Sequence, residues 1–531
     1  MNRLNRSLVA KMSLVRAVSR ATLAAFAIAM LSACQKPDLM QPGFIQVDID
    51  SSPTSLDPRF ATDALSQRIG ELMFDPLVRL DSQGGFTGDL AQRVERTSPT
   101  EIVFHLRHGV RFSDGRELTS RDVKYTYDFV LNPANLSPKR GGLQQLSWME
   151  AVDDYTVKMT THHPYAPALE MAMLDIVPYG TPARGPNTPD APLGTGPFKL
   201  VSFERDDRVV MDRNPSRPTP AESVRGIVFK VVPDPTVRAL ELAEGVCDIA
   251  PNDIQAELLP YLRGKAGLNV IKSPGTTYHY LLFNFNDPRL KDLRVRRAIA
   301  YSIDRKSIID GYLRGTARLA SGLLSPENWA YDGEVTSYSY DPDRARHLLD
   351  EAGYPVGATR MRNLSFVYKT TPEGARMGEV LQAMLLRVGI EISIRTNEWA
   401  TFYGDIQRGN FDLASMQWVG IRDPHHYYMA FDSKMTPTRG LNRGHYSNPE
   451  MDRLTEAGDV TIDTESRKKF YAQVQQLAAD DLPIVSLWWQ DNVVVMNRAL
   501  EGFAPYPNGS WLSLSNLKLI APADVAPSAS E

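Results

Sequence analysis

Only two of the 531 residues are cysteine, Cys34 and Cys247. With Cys34 in the position of a modified residue, as set out below, Cys247 has no partner and no intrachain disulfide is available. Cys247 lies in Gly245-Val246-Cys247-Asp248-Ile249 and reads as a small buried hydrophobe. Catalytic signatures are missing too. There is no Gly-x-Ser-x-Gly elbow, no His-Glu-x-x-His pair and no Cys–His pairing candidate. Past residue 33 no apolar run is long enough to cross a bilayer. A basic patch is also absent, which argues against nucleic acid as a partner.

What is present at the amino end is an export signal. Arg3, Arg6, Lys11, Arg16 and Arg20 form a basic segment, and Ala21 to Ala33 is an apolar run too short for a comfortable span. It ends in Leu31-Ser32-Ala33-Cys34, which has the form of a bacterial lipobox, where the Cys becomes the lipid-modified first residue. Residues 1–33 hold five of the 59 basic residues and none of the 63 acidic ones, so a chain processed there has 54 against 63, a net charge of about −9. This predicts a signal peptide over 1–33, lipidation at Cys34, a polar tether over 34–43 and a location on the periplasmic side of the cell envelope. The composition, 43% hydrophobic and 23% charged, is that of a globular protein, and the length implies two or three domains. Residues 521–531 read as a disordered tail.

The stretch FDLASMQWVGIRDPHHYY, Phe411 to Tyr428, organises the second half. The patterns around it predict strands at Leu364–Lys369 and Ile390–Thr396, helices at Glu373–Val388 and Ala400–Arg408, then a strand from Phe411 that breaks at Val419-Gly420. Such alternation implies βαβ units and a parallel sheet, with ligands expected beyond the carboxyl ends of the strands. The loop after Trp418 is one such place. Another is Ser51 to Pro58, beyond the alternating strand Phe44–Asp50. Elsewhere, Thr119-Ser120-Arg121-Asp122 has the form of a helix-starting box and Asp341-Pro342 that of an Ncap-N1 pair. Strands are expected at Tyr278–Asn286, Leu482–Trp489 and Val493–Met496, and a linker or long loop over the prolines from Pro178 to Pro192. Gly194-Thr195-Gly196-Pro197-Phe198 lacks the Lys-Ser/Thr of a phosphate loop and reads as a structural turn. The pairs His162-His163 and His425-His426 lack a third ligand by spacing, so no metal site and no cofactor are expected.

Five ordered segments carry a resemblance to a known family. They are Phe104–Pro133, PLGTGPFKL (Pro192–Leu200), Tyr278–Ile309, YDPDRARHLLDEAGY (Tyr340–Tyr354) and WVGIRDP (Trp418–Pro424). In order and spacing the chain resembles the family 5 extracellular solute-binding proteins, the peptide/nickel type that serve ABC importers. The resemblance implies an α/β fold of the two-lobed periplasmic binding protein kind (type II, cluster C-like), with an extra domain on the first lobe and a two-strand hinge. It implies a first lobe of 44–75, 193–276 and 486–520, an extra domain of 76–192 and a second lobe of 277–485. Hinge segments are then expected at Pro274–Tyr278 and Pro483–Leu487. The implied protein is a monomer that captures a peptide or other small polar solute and meets a permease in the inner membrane. Alternatives are a metal-complex carrier of the same family, an exported hydrolase on this scaffold, or a ligand-sensing lipoprotein.

The candidate ligand-binding residues are Trp418, Val419, Gly420, Asp423, Tyr278, Tyr280, Thr54 and Ser55. The family's peptide binders pair the peptide amine with an Asp three residues after the Trp. Here that position is Ile421. Either Asp423 takes the role, or the ligand has no free amine at that end. Trp418 is expected to wall the ligand.

Overall fold

A computed structural model of the chain describes residues 42–81, 85–182, 192–358 and 361–520. Cys34, the segment 1–33, nearly all of the tether, residues 183–191 of the proline-rich stretch and the tail 521–531 lie outside the described residues. Among those described, no helix is long and apolar enough to cross a membrane.

One eleven-stranded sheet runs through both lobes. At one end Ser365–Thr370 pairs parallel with both Glu391–Thr396 and Leu413–Trp418, the βαβ arrangement that the alternation implies. The helices between them are Ala375–Leu386 and Trp399–Gln407. Met377, Leu381 and Leu385, spaced four apart on the first of these, face the sheet and are buried. At the other end Phe44–Ile49 pairs parallel with Gly226–Val231 and Ile249–Pro251.

Two long antiparallel strands, Leu268–Phe283 and Ile484–Asn497, join the lobes. Both exceed the expected lengths. The strand anticipated from Tyr278 starts ten residues earlier, and Leu482–Trp489 and Val493–Met496 prove to be parts of one strand. Their ladder is interrupted between Ser273 and Thr277. On the first strand Ile271 packs with the first-lobe core and Tyr278 with a second-lobe core. On the other, Trp489 belongs to the second lobe while Val493 to Met496 belong to the first. That strand therefore crosses at Gln490–Asn492, and not at Pro483–Leu487, where Val485 and Leu487 sit inside the second-lobe core.

The extra domain has its own core, running from Leu77 to Ile176. A four-stranded antiparallel sheet of Ala91–Ser98, Glu101–Leu106, Thr156–Thr161 and Leu146–Asp153 forms one layer. The helix Ser120–Leu131 packs on it, started by the reciprocal Thr119–Asp122 capping box, and buries Val123, Tyr127 and Val130. The Gly194–Gly196 turn returns the chain to the first lobe. A Cβ at Gly194 would fall 1.9 Å from the carbonyl oxygen of Met73, so only glycine allows this approach.

Candidate functional site

Trp418 ends its strand in an aromatic stack. Its ring centroid is 4.1 Å from that of Tyr280, 6.0 Å from Tyr278 and 4.8 Å from His426. All four side chains are buried or nearly so. The Tyr278 hydroxyl pairs with Ser486 Oγ at 2.6 Å, and the Tyr280 hydroxyl accepts from Arg443 at 3.2 Å. These three aromatics therefore face protein rather than an open cavity. Burial pushes His426 down to about 3, so its ring is neutral.

Asp423 is also committed inside the protein. Arg467 donates to both of its carboxylate oxygens, to Oδ2 at 2.7 Å, and the His425 N–H donates to Oδ1 at 2.8 Å. Thr54 and Ser55 lie outside the cavities described next. Thr54 donates to Asp63, the N-cap of the helix Ala64–Gly70, and the Ser55 N–H donates to Ser66 Oγ. Their part is to fasten that helix, whose far end brings Gln67, Arg68 and Glu71 to the site.

The backbone just past Trp418 differs from all of this. Among the described residues, the N–H and C=O groups of Val419, Gly420 and Ile421 have no hydrogen-bond partner. Gly420 holds φ +65, a left-handed conformation suited to glycine, with Asn508 across from it. The facing segment Tyr506–Gly509 is pinned by the crossing strands: Thr276 N–H donates to Pro507 O at 2.9 Å, and Asn492 Nδ2 to Tyr506 O at 2.9 Å. Open N–H and C=O groups on three successive residues, facing a pinned segment, can form strand-like hydrogen bonds with an extended chain.

Cavities flank this edge. On one side is a cleft of about 750 Å³ beside the crossing strands, with Val419, Gln417, His279, Gln490, Asn492 and Arg68 in its wall. On the other is a cavity of about 300 Å³ closed by all three domains. The first lobe gives Glu71 and Ser510, the extra domain Lys139, Glu170 and Asp175, and the second lobe Arg422. Burial, ahead of any neighbouring charge, raises Glu71, Glu170 to about 7 and Asp175 to about 6, and lowers Lys139. None of these six was among the expected site residues. Arg422 alone had a local signal, lying within the loop that the Trp418 segment singled out.

The extra domain and the second lobe touch beside the site. The Tyr165 hydroxyl lies 3.4 Å from His425 Nε2, and Ala166 N–H donates to Asp459 O at 2.7 Å. His425 Nδ1 is 2.7 Å from Asp459. Burial alone would lower the His425 pKa, but the Asp459 carboxylate outweighs it and the net shift is upward. In the wall of the larger cleft Arg376 of the second lobe reaches Glu257 of the first at 3.1 Å. Among the described residues, no group of three or more His, Cys, Asp or Glu is placed to hold a metal ion.

The model of bacterial extracellular solute-binding proteins, family 5, matches residues 85–438. The chain belongs to this family. It is 27% identical over 435 residues to the dipeptide-binding protein of Escherichia coli (strain K12), covering 77% of this chain and 81% of that one. It is 26% identical to the oligopeptide-binding protein AppA of Bacillus subtilis (strain 168), covering 88% and 90%. Among solved structures it is similar to NikA from Brucella suis in complex with Fe(III)-EDTA, at TM-score 0.82 and 25% identity over 90% of this chain and 99% of that one. NikZ from Campylobacter jejuni in complex with Ni(L-His) gives TM-score 0.79 at 23% identity, over 90% of this chain and 100% of that one. The fold is thus that of the two-lobed periplasmic binding proteins, and the relatives are solute-binding proteins, not enzymes.

Proposed function

We propose that this chain is the lipid-anchored solute-capturing component of an ABC importer, taking a small polar solute, a short peptide by preference, between its lobes and passing it to an inner-membrane permease. The observation that carries the reading is the open backbone edge Val419–Ile421, with Val419 in the wall of the cleft beside the crossing strands and the next residue, Arg422, in the wall of a cavity lined by all three domains. A peptide laid along that edge would form strand-like hydrogen bonds without needing a carboxylate at Ile421. Relatives named as dipeptide- and oligopeptide-binding proteins support the class of ligand. Hinge closure around the ligand follows from the two crossing strands, which are the covalent connections between lobes that each have their own core.

Native mass spectrometry of gently purified protein should find a small molecule retained, and its removal should enlarge the radius of gyration in solution scattering. Identical scattering with and without bound ligand would count against closure, and a protein that never retains or takes up a solute would sink the transport reading. The anchor has a separate test. Cys34→Ala should leave the protein unprocessed or release it from membranes; a variant processed and membrane-bound like the wild type would reject lipidation at Cys34.

A further inference from the structure

The smaller cavity holds more charge than a peptide-backbone site needs. Three carboxylates, Glu71, Glu170 and Asp175, and three basic groups, Arg79, Lys139 and Arg422, line it. Arg79 is already matched by Asp75, at 2.8 Å, and by Asp89. Within the lining that leaves Lys139 and Arg422 opposite three carboxylates, one cation short, while Arg68 faces Glu71 and His425 and Arg467 face Glu170 from outside it. Geometry sharpens the point. Glu71 accepts a hydrogen bond from Ser510. The side chains of Glu170, Asp175 and Lys139 make no hydrogen bond or ion pair among the described residues.

A second observation is independent of the carboxylates. Arg422 Nε is buried without a hydrogen-bond partner among the described residues, and its one neighbour within bonding distance is the Met173 sulfur, 3.7 Å from Nη1. Arg422 as a whole is half-buried, and a guanidinium whose Nε is shielded from solvent and whose neighbour is a weak thioether acceptor lacks the oxygen partner that such a group normally has.

We infer that the ligand is a small dipolar molecule with an additional cationic group, its cation held by Asp175, Glu170 and Glu71 and its carboxylate by Arg422. This rests on the solute-binding reading above and adds the charge class. A ligand of net charge +1 supplies the missing positive charge and gives Arg422 an oxyanion acceptor at once. The cavity volume of about 300 Å³ suits a molecule of amino-acid or short-peptide size. The raised pKa values of Glu170 and Asp175 fit the same picture, because burial without a full complement of cations favours the protonated carboxyl. The groups around Glu170 are Asp423, His425, Arg422 and Arg467; those around Asp175 are Lys139, Glu71, Arg79 and Asp75.

The test is calorimetric titration of the ligand-free, full-length folded protein with four probes at millimolar concentration. L-arginine carries both cations and the carboxylate. L-citrulline replaces the guanidinium by a neutral isostere, agmatine lacks the carboxylate, and succinate is anionic throughout. Arginine should bind at least about tenfold more tightly than citrulline and than agmatine, and succinate should not bind. Asp175→Asn should remove most of the arginine–citrulline difference, and Arg422→Met most of the arginine–agmatine difference. Asp175→Asn should keep the wild-type unfolding midpoint or exceed it, since it removes one carboxylate from a lining that has more carboxylates than unpaired cations, and Arg422→Met is compared in protein that still unfolds cooperatively. Citrulline or succinate binding as tightly as arginine, or an arginine affinity unchanged in Asp175→Asn, would overturn the inference. Failure of all four probes would overturn it as well. In that case the solute-binding reading still stands or falls on the retained-ligand measurement.

Discussion

Arg467→Met should cost the folded protein about 3–5 kcal/mol, the usual range when one partner of a buried ion pair is removed. Arg467 and Asp423 are 6% and 5% exposed, and Arg467 donates to both carboxylate oxygens as well as to Gly458 O at 3.0 Å. Methionine fills most of the volume but leaves the Asp423 carboxylate buried with little compensation beyond the His425 N–H. The variant should show a lower midpoint in urea with an unchanged slope. Asp423→Asn combined with Arg467→Met should recover part of the loss, because the stranded charge is then gone. A single-variant loss below about 1 kcal/mol, the level of an exposed pair, would contradict the burial described. Ligand affinity is the second readout. With Asp423 tied to Arg467 and away from the cavities, Asp423→Asn should change binding by less than about tenfold in protein that remains folded.

The second large effect belongs to Trp418. Trp418→Ala should destabilise by about 3–5 kcal/mol, as for other buried large aromatics. The ring stacks on Tyr280 and Tyr278 and meets His426 edge-on, so truncation opens a cavity in the second-lobe core. Binding should fall too, because Trp418 is the last residue of the strand from which the open edge Val419–Ile421 departs. Trp418→Phe keeps an aromatic in the stack and should retain most of both. The pattern separates a supporting residue from a wall of the site. A Trp418→Ala protein with native stability but no binding would show that the ring touches ligand directly. Full binding in a strongly destabilised protein would show that the loop is held by something else.

Local features were legible before the fold was known. The capping box at Thr119–Asp122 and the Asp341-Pro342 helix start are matters of adjacent residues, and the structure has helices at Ser120–Leu131 and Pro342–Glu351. The strands Ser365–Thr370, Glu391–Thr396 and Leu413–Trp418 fell within one residue of the expected positions, apart from the two residues trimmed at the start of the last. The extent of Ile484–Asn497 was not legible. Its polar triplet Gln490-Asp491-Asn492 resembles a break between two strands, yet it is where one strand passes between lobes and uses Asn492 to hold the facing segment.

By itself the sequence determined the family and the βαβ run, because ordered motifs, hydrophobic period and turn residues act over a few neighbours. It could not assign the side chains of the loop after Trp418. Asp423 and Arg467 are 44 positions apart, and only packing of the second lobe brings them together, which turns an expected ligand contact into an internal ion pair. Glu71, Asp175 and Arg422 come from three domains and share no pattern in the chain. Their meeting at one cavity depends on how the lobes and the extra domain close on each other, and charges so distant in sequence acquire a common role only where folding removes the water between them.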